Sequence, residues 1–104
     1  MKIAERVYTL SSDFPNEEKY GLTSQMRRSA VSIASNISEG AGRSTNGEFR
    51  NFLSIASGSA YELHTQLILV YRLNFKAKTQ VQPIIDEVNE LQKMIYGMIK
   101  HLKK

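Results

Sequence analysis

The sequence predicts an all-α fold, an antiparallel up-down-up-down four-helix bundle formed by a single domain over residues 1–104. Three observations predict it. Apolar residues recur at spacings of three and four, and no segment alternates convincingly with period two. Glycines, prolines and capping residues interrupt those repeats at three places. The connections left between repeats are roughly 3–8 residues long, too short to carry the chain to the far end of a bundle, so successive helices should lie antiparallel. An open three-helix array with a frayed N-terminal arm is the alternative, because the first segment has so few apolar anchors.

The first helix covers residues 2–10, with Ile3, Val7 and Leu10 at helical spacing. Ser11, Ser12, Asp13, Phe14 and Pro15 end it with residues that favour caps and turns. A second helical stretch starts at Asn16, breaks near Gly21 and runs from Leu22 to about Gly42, with Met26, Ala30, Ile33, Ile37 and Ala41 on one face. Gly40 and Gly42 stop it, glycine being the least costly residue for a left-handed cap. Thr45 and Glu48 form a capping box, the hydroxyl accepting from the Glu48 amide and the carboxylate reaching back to the Thr45 amide. The third helix is the longest; it carries Phe49, Leu53, Ala56, Ala60, Leu63, Leu67, Val70 and Tyr71 on one stripe and ends around Asn74. Thr79 with Gln82 caps the last helix, along which Ile84, Ile85, Val88, Leu91, Ile95, Met98, Ile99 and Leu102 repeat. Pro15 and Pro83 both fall where an apolar pattern restarts, as first-turn prolines that need no amide hydrogen.

Composition narrows the function classes. The chain is 41% apolar and 23% charged, ordinary for one globular domain. A domain of this size buries only roughly 60–70% of the surface its unfolded chain exposes, so it gains from subunit association. With no cysteine, disulfides, thiolate metal sites and a thiol nucleophile are excluded, and a reducing compartment is suited. The longest apolar run, 67–71, is five residues, against the roughly 20 needed to span a bilayer. No apolar stretch follows the basic N-terminus in the manner of a signal peptide. A cytoplasmic protein without membrane contact is expected.

Two features of the middle helices point to close packing and assembly. Ser29, Ala30, Ser32, Ala34, Ser35, Ser38, Gly40 and Ala41 on the second helix face Ser54, Ala56, Ser57, Gly58, Ser59 and Ala60 on the third. Small side chains bring helix axes towards the lower end of the usual 8–10 Å range. Off the main stripe of the third helix, Phe52, Ile55, Leu69 and Leu73 occupy a second sector, interleaved with Ser59, Glu62 and Gln66. An additional apolar face argues for burial against another subunit.

Catalysis finds little support. His64 reads as a core histidine and His101 as a solvated one in a lysine-rich tail. A di-iron bundle needs Glu-x-x-His pairs, and Tyr61 and Met98 stand three residues before the histidines. Asp86 and Glu90 lie one turn apart, but with Glu87 they read as a solvated face near a helix start. The Gly40, Ala41, Gly42, Arg43, Ser44 segment follows a helix rather than a strand and lacks the Lys-Ser/Thr ending of a phosphate loop. Neither enzymatic activity nor a cofactor or metal is expected.

Charge is more informative. In the expected topology one end of the bundle gathers Lys2, Arg6, Arg43, Arg50, Lys100, Lys103 and Lys104 against Glu5, Glu39 and Glu48, which concentrates the whole formal charge of +4 there. A ring of copies would repeat this end in every subunit and attract phosphates by counterion release. Helix-end lysines that merely complement the macrodipole are the alternative.

Leu22, Thr23, Ser24, Gln25, Met26, Arg27, Arg28, Ser29, Ala30, Val31, Ser32 and Ile33, then Ser35, Asn36, Ile37, Ser38, Glu39 and Gly40, then Gly42 and Arg43, and Glu48, Phe49, Phe52, Leu53, Ile55, Ala56, Gly58, Ser59, Glu62, Leu63, Thr65, Gln66 and Leu67 closely resemble the four-helix-bundle family encoded by intervening sequences of bacterial 23S ribosomal RNA genes, also labelled S23 ribosomal proteins. The match is dense from Phe14 to about Leu73. The resemblance implies a homopentameric ring, similar to the accessory variability protein of diversity-generating retroelements, which binds nucleic acid and a reverse transcriptase through a basic surface. It implies Arg27, Arg28, Arg43 and Arg50 as the first nucleic-acid contacts; Lys100, Lys103 and Lys104 join them from the charge distribution. Asn36, Glu39 and Gly40, with Phe52, Ile55 and Gly58, are expected to pack helices or subunits. The chain departs from the family in three places. Further first-helix sequence, often with a tryptophan, commonly precedes the position of Met1; Ala34 replaces a frequent proline; His64 stands where an acidic residue is common.

The expectation is therefore a non-enzymatic homo-oligomeric bundle that contacts structured RNA or DNA, or a nucleoprotein partner such as a reverse transcriptase, through basic residues. A protein-interaction scaffold with no nucleic-acid binding is the alternative.

Overall fold

Three long apolar repeats and one short one become four helices. The computed structural model describes residues 2–16 and 21–103, and contains α1 (Lys2–Ser11), α2 (Leu22–Ala41), α3 (Asn46–Arg72) and α4 (Lys78–Leu102). Among the described residues there is no strand, and no helix is long and apolar enough to cross a membrane. The helical turns expected from Asn16 towards Gly21 fall largely outside the described residues. The α2–α3 contact is the most extensive and α3–α4 the next; α1 touches α2 and α4. The result is elongated, 45 × 23 × 17 Å.

Most of the buried side chains are those the spacing singles out; Phe14, expected in a turn, and Val81, which precedes the expected apolar stripe of the last helix, are buried with them. Val7, Met26, Ala30, Ile33, Ala60, Leu63, Leu67, Val70, Val81 and Val88 form the main core, joined by Ile3, Leu10, Phe14, Ile84 and Ile85. Leu53, Ala56 and Ile95 make a smaller cluster, and Ile37 and Leu91 pack against both. Two expected stripe residues lie at the surface instead: Ala41, at the last turn of α2, and Met98, 37% exposed.

The helix ends depart from expectation more than the helix bodies. Gly42 caps α2 with φ −85°, a right-handed conformation, so no left-handed turn is needed there. Gly40 is buried within α2, where a Cβ would stand 2.7 Å from the Phe52 Cβ and 2.9 Å from Phe49 Cδ1. Its role is to admit α3 rather than to stop α2. The left-handed residue is Asn74, φ 63°. It closes α3 in a Schellman arrangement, with the Phe75 amide donating to the Val70 carbonyl (3.0 Å) and the Asn74 amide to Tyr71 (3.1 Å). Thr45 caps α3 as expected, accepting from the Glu48 amide at 3.1 Å, but it is the Thr45 hydroxyl that donates to the Glu48 carboxylate (3.0 Å), in place of the expected bond from the Thr45 amide. For α4 the N-cap is Ala77, whose amide donates to the Gln80 side chain at 3.3 Å. Thr79 and Pro83 therefore both lie inside the helix.

Polar ties fix α1 and the small-residue contact. Ser32 and Ser59 share a hydroxyl hydrogen bond of 2.8 Å between α2 and α3. Arg27 Nε donates to Ser11 Oγ (3.0 Å), while Arg6 pairs with Glu87 and Lys76 with Asp13. The Lys76 hydrogen bond, with its charge, holds the Asp13 carboxyl below the ordinary aspartate range.

Candidate nucleic-acid interface

The basic end is built by the 42–45 link, the first turns of α3 and the last turns of α4. Arg50 Nη1 donates to the Leu102 carbonyl at 2.8 Å. That carbonyl is one of the four left without an intrahelical partner at a helix C-terminus, where the macrodipole also favours a cation. The bond fastens the start of α3 to the end of α4. Arg43 follows the α2 cap; its Nη2 donates to Glu39 Oε1 (2.8 Å) and its guanidinium lies 4.9 Å from the centre of the Phe52 ring. Lys100 carries its ammonium 5.3 Å from the Tyr96 ring centre, and Lys103 caps α4. Lys104 lies outside the described residues.

Lys2 and Arg6 do not join this end. Both follow from the shortness of α1: ten residues span about 15 Å at 1.5 Å per residue. Lys2 and Ile3 line a depression with Asp86, Glu87, Glu90, Leu91 and Met94. From Met94 to Leu102 α4 thus continues about 12 Å past the start of α1. The acidic half of α4 takes up the bases of α1, Arg6 pairing with Glu87. The described basic end comprises Arg43, Arg50, Lys100 and Lys103 against Glu39 and Glu48.

Arg27 and Arg28 form a separate group. Arg27 is half-buried, its guanidinium 4.5 Å from the Tyr8 ring centre; Arg28 is exposed. They line an open groove of about 590 Å³ with Tyr8, Thr23, Ser24, Val31 and Ser32. Fourteen residues of α2 separate Arg27 from Ala41, about 21 Å along the axis. One phosphate cannot bridge the two groups.

The expected packing residues also divide. Asn36 Nδ2 donates to the Ser32 carbonyl (2.8 Å) and hydroxyl (3.0 Å), and so supports the Ser32–Ser59 bond. Glu39 serves Arg43, while Gly40 and Phe52 meet between α2 and α3. Ile55 and Gly58 make no such contact: Ile55 is 46% exposed, and a Cβ on Gly58 would meet nothing within 4 Å. Tyr96, 64% exposed, stands among the lysines of α4 and escapes the apolar-stripe reading. Its signal is the spacing of Lys93, Tyr96, Lys100 and Lys103, which places all four on one helix face.

His64 is half-buried and His101 exposed. Among the described residues no three His, Cys, Asp or Glu side chains gather as a metal ion would require.

Over residues 1–97 the sequence matches the family described as 23S rRNA-intervening sequence protein. The fold is similar to the 1.70 Å crystal structure of a protein with unknown function from the S23 ribosomal protein family of Bacteroides thetaiotaomicron VPI-5482. The two share 26% identity with a TM-score of 0.85, over 95% of this chain and 93% of that one. No curated protein matches.

Proposed function

We propose that this chain, which belongs to the 23S rRNA-intervening sequence protein family, is a non-enzymatic, cytoplasmic, antiparallel bundle that assembles as a homopentameric ring and binds structured nucleic acid through its basic end. The observation that carries the reading is the Arg50–Leu102 bond, which fastens the start of α3 to the end of α4, so that the element ends carrying Arg50, Lys100 and Lys103 meet at one end of the molecule. Links at 42–45 and 73–77 support the antiparallel course, since so few residues cannot retrace helices about 30–40 Å long. Ile55 and Leu69 on α3 and Leu73 at its C-cap, all exposed, supply the apolar face for assembly. Each copy in a ring adds its cations to the same field, which raises both affinity and its dependence on salt.

The test is binding of an RNA hairpin by the full chain between 50 and 300 mM salt, read by fluorescence anisotropy. Arg43→Gln, Lys100→Gln and Lys103→Gln should each flatten the logarithmic salt slope by about 0.9 for every phosphate of a paired stem that is no longer neutralised. Undetectable binding at low salt, or slopes unaffected by all three changes, overturns the reading. A protein-interaction scaffold is the second reading, favoured by the apolar groove of Phe49, Met94, Gly97, Met98 and Leu102; partner association that survives nuclease and high salt would mark it. A reverse transcriptase or another nucleoprotein component belongs to the same test, since its retention through nucleic acid would be abolished by nuclease treatment.

A further inference from the structure

The last half of α4 combines charge and aromaticity in a way that backbone neutralisation alone does not use. From Leu91 to Lys103 the helix has no acidic residue, whereas its first half holds Asp86, Glu87 and Glu90. Lys93, Tyr96, Lys100 and Lys103 recur at three, four and three, so they share one face. Ile95 is buried and Ile99 and Leu102 are half-buried on the core side, while Met94 and Met98 line the groove on another side. Tyr96 is 64% exposed although its ring is the largest apolar surface on that face, and the Lys100 ammonium lies 5.3 Å from its centre. Arg50, fastened to the Leu102 carbonyl, lies at the same end of α4 but on its core side.

A row of cations accounts for phosphates and needs no exposed ring. An aromatic among those cations is what an unpaired nucleotide requires, because a free base presents a π-face for stacking and a duplex conceals it. Lys93 to Lys103 spans ten residues, about 15 Å of helix, the length of roughly four stacked nucleotides at 3.4 Å each. We propose that the Lys93, Tyr96, Lys100 and Lys103 face of α4 holds an unpaired segment of nucleic acid, with one base stacked on Tyr96 and the flanking phosphates on the lysines. The inference rests on the basic-end reading above and narrows its target from nucleic acid in general to single strands or the loops of structured ones.

The experiment uses the full chain with fluorescent 12-nucleotide single strands, oligo(A) RNA and the matching DNA, beside a blunt duplex of the same length. Tyr96→Ala should weaken both single strands about 5- to 150-fold, leave the duplex unchanged and leave the salt slope unchanged. Tyr96→Phe should restore affinity, since the ring and not the hydroxyl is used. Lys93→Gln, Lys100→Gln and Lys103→Gln should each reduce the single-strand salt slope by about 0.7. Equal effects on RNA and DNA indicate stacking and phosphate contacts alone, and a larger effect on RNA adds the 2′-hydroxyl; either supports the proposal. Unchanged single-strand affinity in Tyr96→Ala, with the lysine variants still flattening the slope, overturns the stacking site and leaves the basic-end reading standing. Absence of all nucleic-acid binding overturns both. Tyr96→Leu separates a subunit contact from a stacking site. If Ala lowers the native mass and Leu restores both mass and affinity, Tyr96 joins copies and the proposal fails.

Discussion

Position 40 shows how one missing methyl group decides a helix contact. Alanine there would gain about 1 kcal/mol of helix propensity, but its Cβ would collide with the Cβ of Phe52, which cannot swing away as the tip of a flexible side chain could. Overpacking of this kind costs about 1–3 kcal/mol, so Gly40→Ala should be destabilising by about 1 kcal/mol in urea unfolding. Gly58→Ala meets open space and should stabilise the isolated chain by about 0.5–1 kcal/mol. If Gly58 instead lies against another copy, as expected from the sequence, the same change should reduce the assembled fraction in native mass spectra. Sequence can place glycines at the end of α2, but not divide their roles. A pair of nearby glycines signals a stop whether or not either has positive φ, and the close approach of Phe52 depends on a neighbouring helix. At Arg50 the limit is similar: its charge is plain in the sequence, its bond to a carbonyl 52 residues away is not.

The helices differ in how firmly they are held. Repeats sustained over 20, 27 and 25 residues in α2, α3 and α4 make their existence and their buried faces legible in the sequence, because each added turn repeats the same apolar phase. Periodicity fixes the rotation of a helix about its axis and leaves its height along the neighbours undetermined. That is why the sequence places Lys2 and Arg6 at the basic end, whereas they lie beside the acidic half of α4. The Thr79 cap fails for a related reason: Gln80 offers Ala77 the same reach three residues back that Gln82 offers Thr79. The short α1 hangs on four buried residues and on the polar ties of Arg6 at its middle and Ser11 at its end, so it should lose amide protection first in hydrogen exchange. One tie reports on pH. With its folded pKa depressed, Asp13 contributes stability at pH values above the unfolded aspartate range, and loses it as pH falls through the lowered folded value. Asp13→Asn should therefore melt slightly below the parent chain at pH 7, with the difference fading as both are taken towards pH 3. A difference that persists in acid would mean that the Lys76 pair is not its source.

At the scale of the molecule, the elongated shape leaves a high ratio of surface to core, and besides Tyr8 and Val31 in the Arg27 groove and the exposed Tyr61 and Tyr96, two groups of aliphatic side chains are exposed. Met94 and Met98 lie where α4 outruns α1; Ile55, Leu69 and Leu73 lie along α3. The α3 group matters more for the proposed assembly, because its members return to one sector after 14 and 4 residues, with Ser59, Glu62 and Gln66 between them. Glu62 already lies in this sector between Ile55 and Leu69, so only the ends of the stripe could close dry against a copy, and a glutamate placed there costs little in a lone chain and much once buried without a partner. Ile55→Glu and Leu69→Glu should accordingly retain the helical circular dichroism of the parent chain and lower its native mass to that of one chain, 11.8 kDa. Nucleic-acid affinity should fall with the mass, since a single basic end releases fewer counterions than a ring of them. A parent chain already monomeric at high micromolar concentration would remove the ring, and binding by the monomer would then have to come from Arg43, Arg50 and the α4 lysines of one copy.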